Sequence, residues 1–120
     1  MKIEKYDFYW YPKCSTCRKA KAQLDAQKIQ YQAIDMIQNP PSAELLTKWL
    51  SDGTFDKRKL FNTSGMKYRE LGLKDRVAQL SLQEAAELLS SDGMLIKRPL
   101  IVKDGALIQI GYNEEKYKSL

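Results

Sequence analysis

The residues with the most chemical capacity are the two thiols of Cys14-Ser15-Thr16-Cys17. Positions three apart on a first helical turn are neighbours, so two such thiols can exchange with a disulfide in turn. That turn also carries unpaired amides and the positive end of the helix dipole. A thiolate at Cys14 is favoured there, and its pKa is expected to fall from about 8.5 toward neutrality or below. Lys13, Arg18 and Lys19 add positive charge nearby. Cys14, at the edge, is expected to attack; Cys17, one turn deeper, is expected to resolve the mixed disulfide. Lys13, Ser15 and Thr16 would line the rim that meets a substrate. A structural zinc site needs four ligands, whereas the chain offers two cysteines and no histidine. A structural disulfide is disfavoured where glutathione keeps thiols reduced. Two inert buried cysteines, spaced this way by chance, remain open on residues alone.

These thiols need a strand before them and a helix after them. Residues 6–11 are aromatic-rich and stop at Pro12, which predicts a strand. From Ser15 the pattern is helical, with Cys17, Ala20, Lys21, Leu24 and Lys28 on one face. Residues 31–37 read as a second strand. Ser42 caps a helix carrying Leu45, Leu46, Trp49 and Leu50, closed at Asp52-Gly53. Residues 54–79 hold short helical pieces broken by Gly65 and Gly72. Ser81 and Glu84 form a capping box for a helix closing at Asp92-Gly93. Strands over Leu100–Lys103 and residues 106–112 flank Asp104-Gly105, a strong hairpin signal, and Asn113 with Glu114 and Glu115 starts a last helix. The order predicts an α/β fold with a thioredoxin- or glutaredoxin-like core: β-α-β, then a β-hairpin and terminal helix, with a helical insertion between the second strand and the hairpin. No repeat or low-complexity tract interrupts it, so residues 1–120 are read as one domain.

In that plan Arg98-Pro99 falls beside the cysteine loop, where a proline can adopt the cis form and leave its neighbour's backbone open to a partner chain. Arg98 would then present a guanidinium to an oxyanion or to the sulfur's negative charge. A solvent arginine before a strand-starting proline is the bland alternative.

Composition narrows the classes. An apolar fraction of 43% in 120 residues supplies a core. No run approaches the roughly 20 apolar residues of a membrane span, and the first five residues lead into an aromatic stretch rather than a signal-peptide core. Cytoplasmic residence is therefore expected. Twenty basic and 15 acidic side chains leave +5, with both signs interspersed and no basic block with interleaved aromatics, so no direct nucleic-acid binding is expected. The absence of histidine removes imidazole bases and imidazole metal ligands.

Tyr9-x-x-Pro12-x-Cys14-x-x-Cys17-Arg18-Lys19-Ala20, Asn39-Pro40-Pro41-Ser42, Leu71-Gly72-Leu73, Lys97-Arg98-Pro99-Leu100-Ile101-Val102 and Gly111-Tyr112-Asn113-Glu114 together resemble the arsenate reductase (ArsC)/Spx family over nearly the whole chain. The resemblance implies a thioredoxin-like core, Cys14 as reactive thiol and Arg98 beside a cis Pro99. It also implies no bound metal or organic cofactor, with glutathione/glutaredoxin or thioredoxin as reducing co-substrate. Its reductase branch uses three arginines around the oxyanion; here only Arg98 matches, Asn62 standing for one and the third falling near Gly111. A thiol–disulfide oxidoreductase with weak or absent arsenate activity is thus the leading expectation. The Spx branch carries C-x-x-C and binds the C-terminal domain of the RNA polymerase α subunit, which makes a redox-controlled regulator the alternative, with Gly53 as its contact glycine.

Overall fold

A computed structural model describes residues 5–120; residues 1–4, part of the stretch read for a targeting signal, lie outside them. Two compact units are present, one built from the chain up to Asp35 together with Arg98–Leu120, the other from Met36–Lys97.

The first unit holds a four-stranded sheet in the order β2-β1-β3-β4, with β1 Tyr6–Trp10, β2 Tyr31–Asp35, β3 Leu100–Lys103 and β4 Ala106–Ile110. β1 runs parallel to β2 and antiparallel to β3, and β3 and β4 form the hairpin. Helix α1 (Ser15–Ala26) provides the β1–β2 crossover. This is the thioredoxin-like plan expected from the element order. Tyr6 and Phe8 alternate onto the face that meets Ala20 and Leu24 of α1, Ile101, and Tyr117 of the C-terminal helix. Phe8 is fully buried, with Tyr31 edge-on at 5.6 Å and Trp10 stacked at 5.9 Å. Burying a side chain of that size contributes about 1.5–3 kcal/mol, and it locks the strand that leads into the cysteines.

Local chemistry sets the hairpin. Asp104 and Gly105 both take positive φ, 50° and 84°, the pair of left-handed residues that matches strand twist in a two-residue turn. Asp104 Oδ1 also accepts the Lys5 amide at 2.9 Å. β1 ends one residue earlier than its pattern predicts, and β2 and β4 are shorter by two, each where its partner strand meets proline. Trp10 pairs with Asp35, and β1 ends there ahead of Pro12, so β2 ends at Asp35 instead of Ile37. Likewise Ile110 pairs with Leu100 immediately after Pro99, and β4 ends there instead of at Tyr112. Lys28 is not on the α1 face, because the helix ends at Ala26 and Lys28 turns to φ 60°.

The second unit, the helical insertion, contains α2 (Ala43–Asp52), α3 (Lys57–Leu60), α4 (Met66–Glu70) and α5 (Leu82–Ser91), with three short 3₁₀ turns. α2 and α5 pack together through Leu46, Trp49 and Leu50 on one side and Ala85, Ala86 and Leu89 on the other. Ser42 caps α2, and Ser81 and Glu84 close the capping box of α5. Gly93 does not act as a left-handed terminator. It is needed for close approach: a Cβ there would fall 2.1 Å from the Met36 carbonyl oxygen.

Candidate functional site

β1 delivers the chain to Tyr11, and Pro12 turns it. The Cys14 amide donates to the Tyr11 carbonyl at 2.9 Å, and the Arg18 amide donates to the Cys14 carbonyl at 3.0 Å, the first bond of α1. Cys14 is therefore the N-cap residue, extended at φ −90° and ψ 122°. Cys14 is partly exposed, whereas Cys17, first of the buried stripe Cys17, Ala20, Leu24, is fully covered. Both thiols are free.

Their environments push them in opposite directions. Partial burial alone would raise the Cys14 pKa, but the Cys17 amide and thiol and the Arg98 guanidinium outweigh it and hold the thiol below its ordinary value. No side chain closes a formal N-cap bond on α1, so the helix start acts here through its aimed amide rather than through a capping oxygen. For Cys17 burial dominates and pushes it up to about 12. The Tyr11 amide and Arg98 pull it down, and the neighbouring Cys14 pushes it up further.

Arg98 enters through the cis Arg98–Pro99 peptide, with Pro99 buried and its carbonyl accepting the Gly111 amide at 2.8 Å. The guanidinium is among the groups that hold the Cys14 thiol below its ordinary value, and it lies 5.2 Å from the centre of the Tyr11 ring. Its Nε and Nη1 are buried without a hydrogen-bond partner. Arg98, Cys14 and Cys17 are thus brought together, and the solvent-arginine alternative falls away. Lys13, Ser15 and Thr16 are exposed around them. Gly53 and Asn62 belong to the helical unit. Gly53 is the exposed, left-handed C-cap of α2 at φ 77°, and Asn62 Oδ1 accepts the Ser64 hydroxyl at 3.3 Å.

Two contributors escape a reading of the motif. Tyr11 meets Arg98 with its ring, Cys14 with its carbonyl and Cys17 with its amide; an aromatic residue directly before Pro-x-Cys was the available signal. Tyr117 of helix α6 (Glu114–Lys118) is fully buried, its phenol pushed upward by burial first and by Cys17 second. Gln23 and Gln27 on α1 tie that helix down: Gln23 accepts the Tyr112 hydroxyl and donates to the Glu114 carbonyl at 3.0 Å, and Gln27 donates to the Tyr117 carbonyl at 2.8 Å. Among the described residues no three His, Cys, Asp or Glu side chains converge as a metal site, and no helix is long and apolar enough to cross a membrane.

The chain is 49% identical over 111 residues to YusI of Bacillus subtilis, an uncharacterized protein, covering 92% of this chain and 93% of that one. It is 29% identical over 110 residues to the global transcriptional regulator Spx of Lactiplantibacillus plantarum, covering 92% and 81%. A crystal structure from Streptococcus mutans, described as a possible arsenate reductase, superposes with a TM-score of 0.88 at 60% identity, covering 90% of this chain and 91% of that one. The ArsC family model matches residues 9–120, and the chain belongs to the ArsC family.

Proposed function

We propose that the chain is a glutaredoxin-like thiol–disulfide oxidoreductase in which Cys14 is the nucleophile and Cys17 the resolving thiol. The observation that carries this reading is the opposite polarity of the two thiols: one accessible and biased toward thiolate, the other buried and held protonated. An attacking thiol must be charged before substrate arrives, and a resolving thiol must stay quiet until it is needed.

The Cys14 thiolate attacks one sulfur of a substrate disulfide. A bond forms between Cys14 and that sulfur, the substrate S–S bond breaks, and the leaving thiolate takes a proton from solvent. Cys17 then gives up its proton and attacks the Cys14 sulfur, forming the Cys14–Cys17 disulfide and releasing the second substrate thiolate. The protein has lost two electrons and the substrate has gained two. Two glutathione thiols, or one dithiol such as reduced thioredoxin, restore the pair and are themselves oxidised to a disulfide. Arg98 stabilises negative charge on sulfur at the attack step, and Pro99 leaves adjacent backbone open to the incoming chain. Lys13, Ser15 and Thr16 form the exposed rim that meets the substrate.

Mass spectrometry after mild oxidation tests the pairing. Loss of two hydrogens is expected in the wild type and none in Cys17→Ser. A wild type that gives only intermolecular dimers would remove Cys17 from its role.

A second reading is a redox-controlled regulator that binds the C-terminal domain of the RNA polymerase α subunit. Its support is the similarity to a protein named Spx and the exposed Gly53, where an added Cβ meets nothing within 4 Å. Pull-down of that domain by the wild type, weakened in Gly53→Arg, is the expected result for this reading; equal absence in both would remove it.

A further inference from the structure

Tyr11 meets the cysteine loop with its backbone and Arg98 with its ring. A residue before proline avoids the helical region, and an extended residue points its own N–H and C=O to the same side. The Tyr11 carbonyl accordingly accepts from the Cys14 amide while its N–H reaches the Cys17 sulfur. The ring carries the Arg98 guanidinium at 5.2 Å. A buried guanidinium normally spends its fork of N–H groups on a carboxylate, phosphate or carbonyl. Here Nε and Nη1 have no such partner and are closed to water, while the guanidinium's charge favours the Cys14 thiolate. An aromatic face attracts a cation without using up a hydrogen-bond acceptor, so the ring retains Arg98 while leaving its donors uncommitted.

We propose that Tyr11 is a specificity-determining residue of this site: it holds Arg98 beside Cys14 and covers the donors that a tetrahedral oxyanion would need, so that uncharged disulfides are taken and arsenate-like dianions are refused. This deepens the oxidoreductase reading and rests on it. An oxyanion bound by arginine requires a bidentate, outward-facing fork. A disulfide sulfur requires only that the attacking thiolate be formed and reachable.

The test uses the full chain and follows alkylation of Cys14 by a neutral reagent, across pH and in the presence of inorganic phosphate, sulfate or arsenate. Tyr11→Phe should behave as the wild type, with a low alkylation midpoint and little protection by any oxyanion. Tyr11→Ser should raise the midpoint and lower the half-protecting oxyanion concentration at least about tenfold, since each recovered charge-assisted bond is worth about that much or more. Both changes should vanish when Tyr11→Ser is combined with Arg98→Ala, because Tyr11 acts through that guanidinium. Tyr11→Leu, which keeps bulk but has no π-face, should move in the same direction as Tyr11→Ser and serves if the serine variant folds poorly. Unchanged oxyanion protection in Tyr11→Ser and Tyr11→Leu, or a change that persists without Arg98, would overturn the proposal. Alkylation and protection need no disulfide turnover, so loss of the oxidoreductase reading would show separately, as failure of the wild type to reduce a small uncharged disulfide such as hydroxyethyl disulfide.

Discussion

If Cys17 resolves the mixed disulfide, raising the pH should accelerate resolution far more than attack. Burial places the Cys17 thiol at about 12, so near pH 7 only about one molecule in 10⁵ carries its thiolate, against a few per cent for an ordinary thiol with pKa about 8.5. That is a deficit of roughly 3,000-fold in the reacting species. A more basic thiolate is the better nucleophile, and a Brønsted coefficient of about 0.4–0.5 returns roughly 25- to 60-fold. The net penalty is on the order of a hundredfold, set against the gain from intramolecular proximity. Cys14 loses its charge in the mixed disulfide, which relieves one upward influence on Cys17, but burial, the larger one, stays. Resolution should therefore rise about tenfold per pH unit from about 7 to 9, following the thiolate fraction. Attack by Cys14, whose pKa is held below the ordinary value, should rise less steeply over the same range. Stopped-flow reaction with a chromogenic aromatic disulfide separates the steps: a first thiolate is released on attack and a second on resolution, and Cys17→Ser should show only the first. A second phase independent of pH, or equal in rate to the first at neutrality, would refute the assignment of a buried, protonated Cys17 as the resolving group.

Three further outcomes are expected. In Cys17→Ser, alkylation of Cys14 against pH should give a midpoint below the ordinary 8.5, and Arg98→Ala should move it upward, since the guanidinium is among the groups that favour the thiolate. Arsenate reduction should be weak: by the family resemblance only Arg98 of three oxyanion arginines is matched, Asn62 standing for one and the third falling near Gly111, and losing two at 1.5–3 kcal/mol per charge-assisted bond forfeits about 3–6 kcal/mol, a hundredfold to ten-thousandfold in rate, which NADPH-coupled assays with both reducing systems would show. Gly93→Ala should destabilise the fold by about 1–3 kcal/mol or more through its clash with the Met36 carbonyl, seen as a lower urea midpoint at unchanged Cys14 reactivity.

The amino-acid sequence by itself determined the features whose causes lie within a few residues. Ser42, Ser81 with Glu84, and Asn113 cap their helices through their own side chains. Asp104-Gly105 makes its turn from two left-handed residues, and Cys14 and Cys17 sit on the first turn of α1. Each follows from side-chain chemistry acting on neighbouring backbone, which a one-dimensional pattern records. Tertiary structure decided what depends on residues far apart in the chain. β2 and β4 stop where their partner strands meet proline, which their own residues do not reveal. Gly93 is required by the carbonyl of Met36, 57 positions away. The order of the two thiols, one at the helix edge and one a turn deeper, was legible in the motif; how far their environments diverge came from the three-dimensional arrangement. Their identical side chains differ because Cys17 turns into the stripe it shares with Ala20 and Leu24, while Cys14 stays at the rim beside an arginine 84 residues away. Desolvation and Coulomb attraction depend on distance in space and exclusion of water, and neither is written in spacing along the chain.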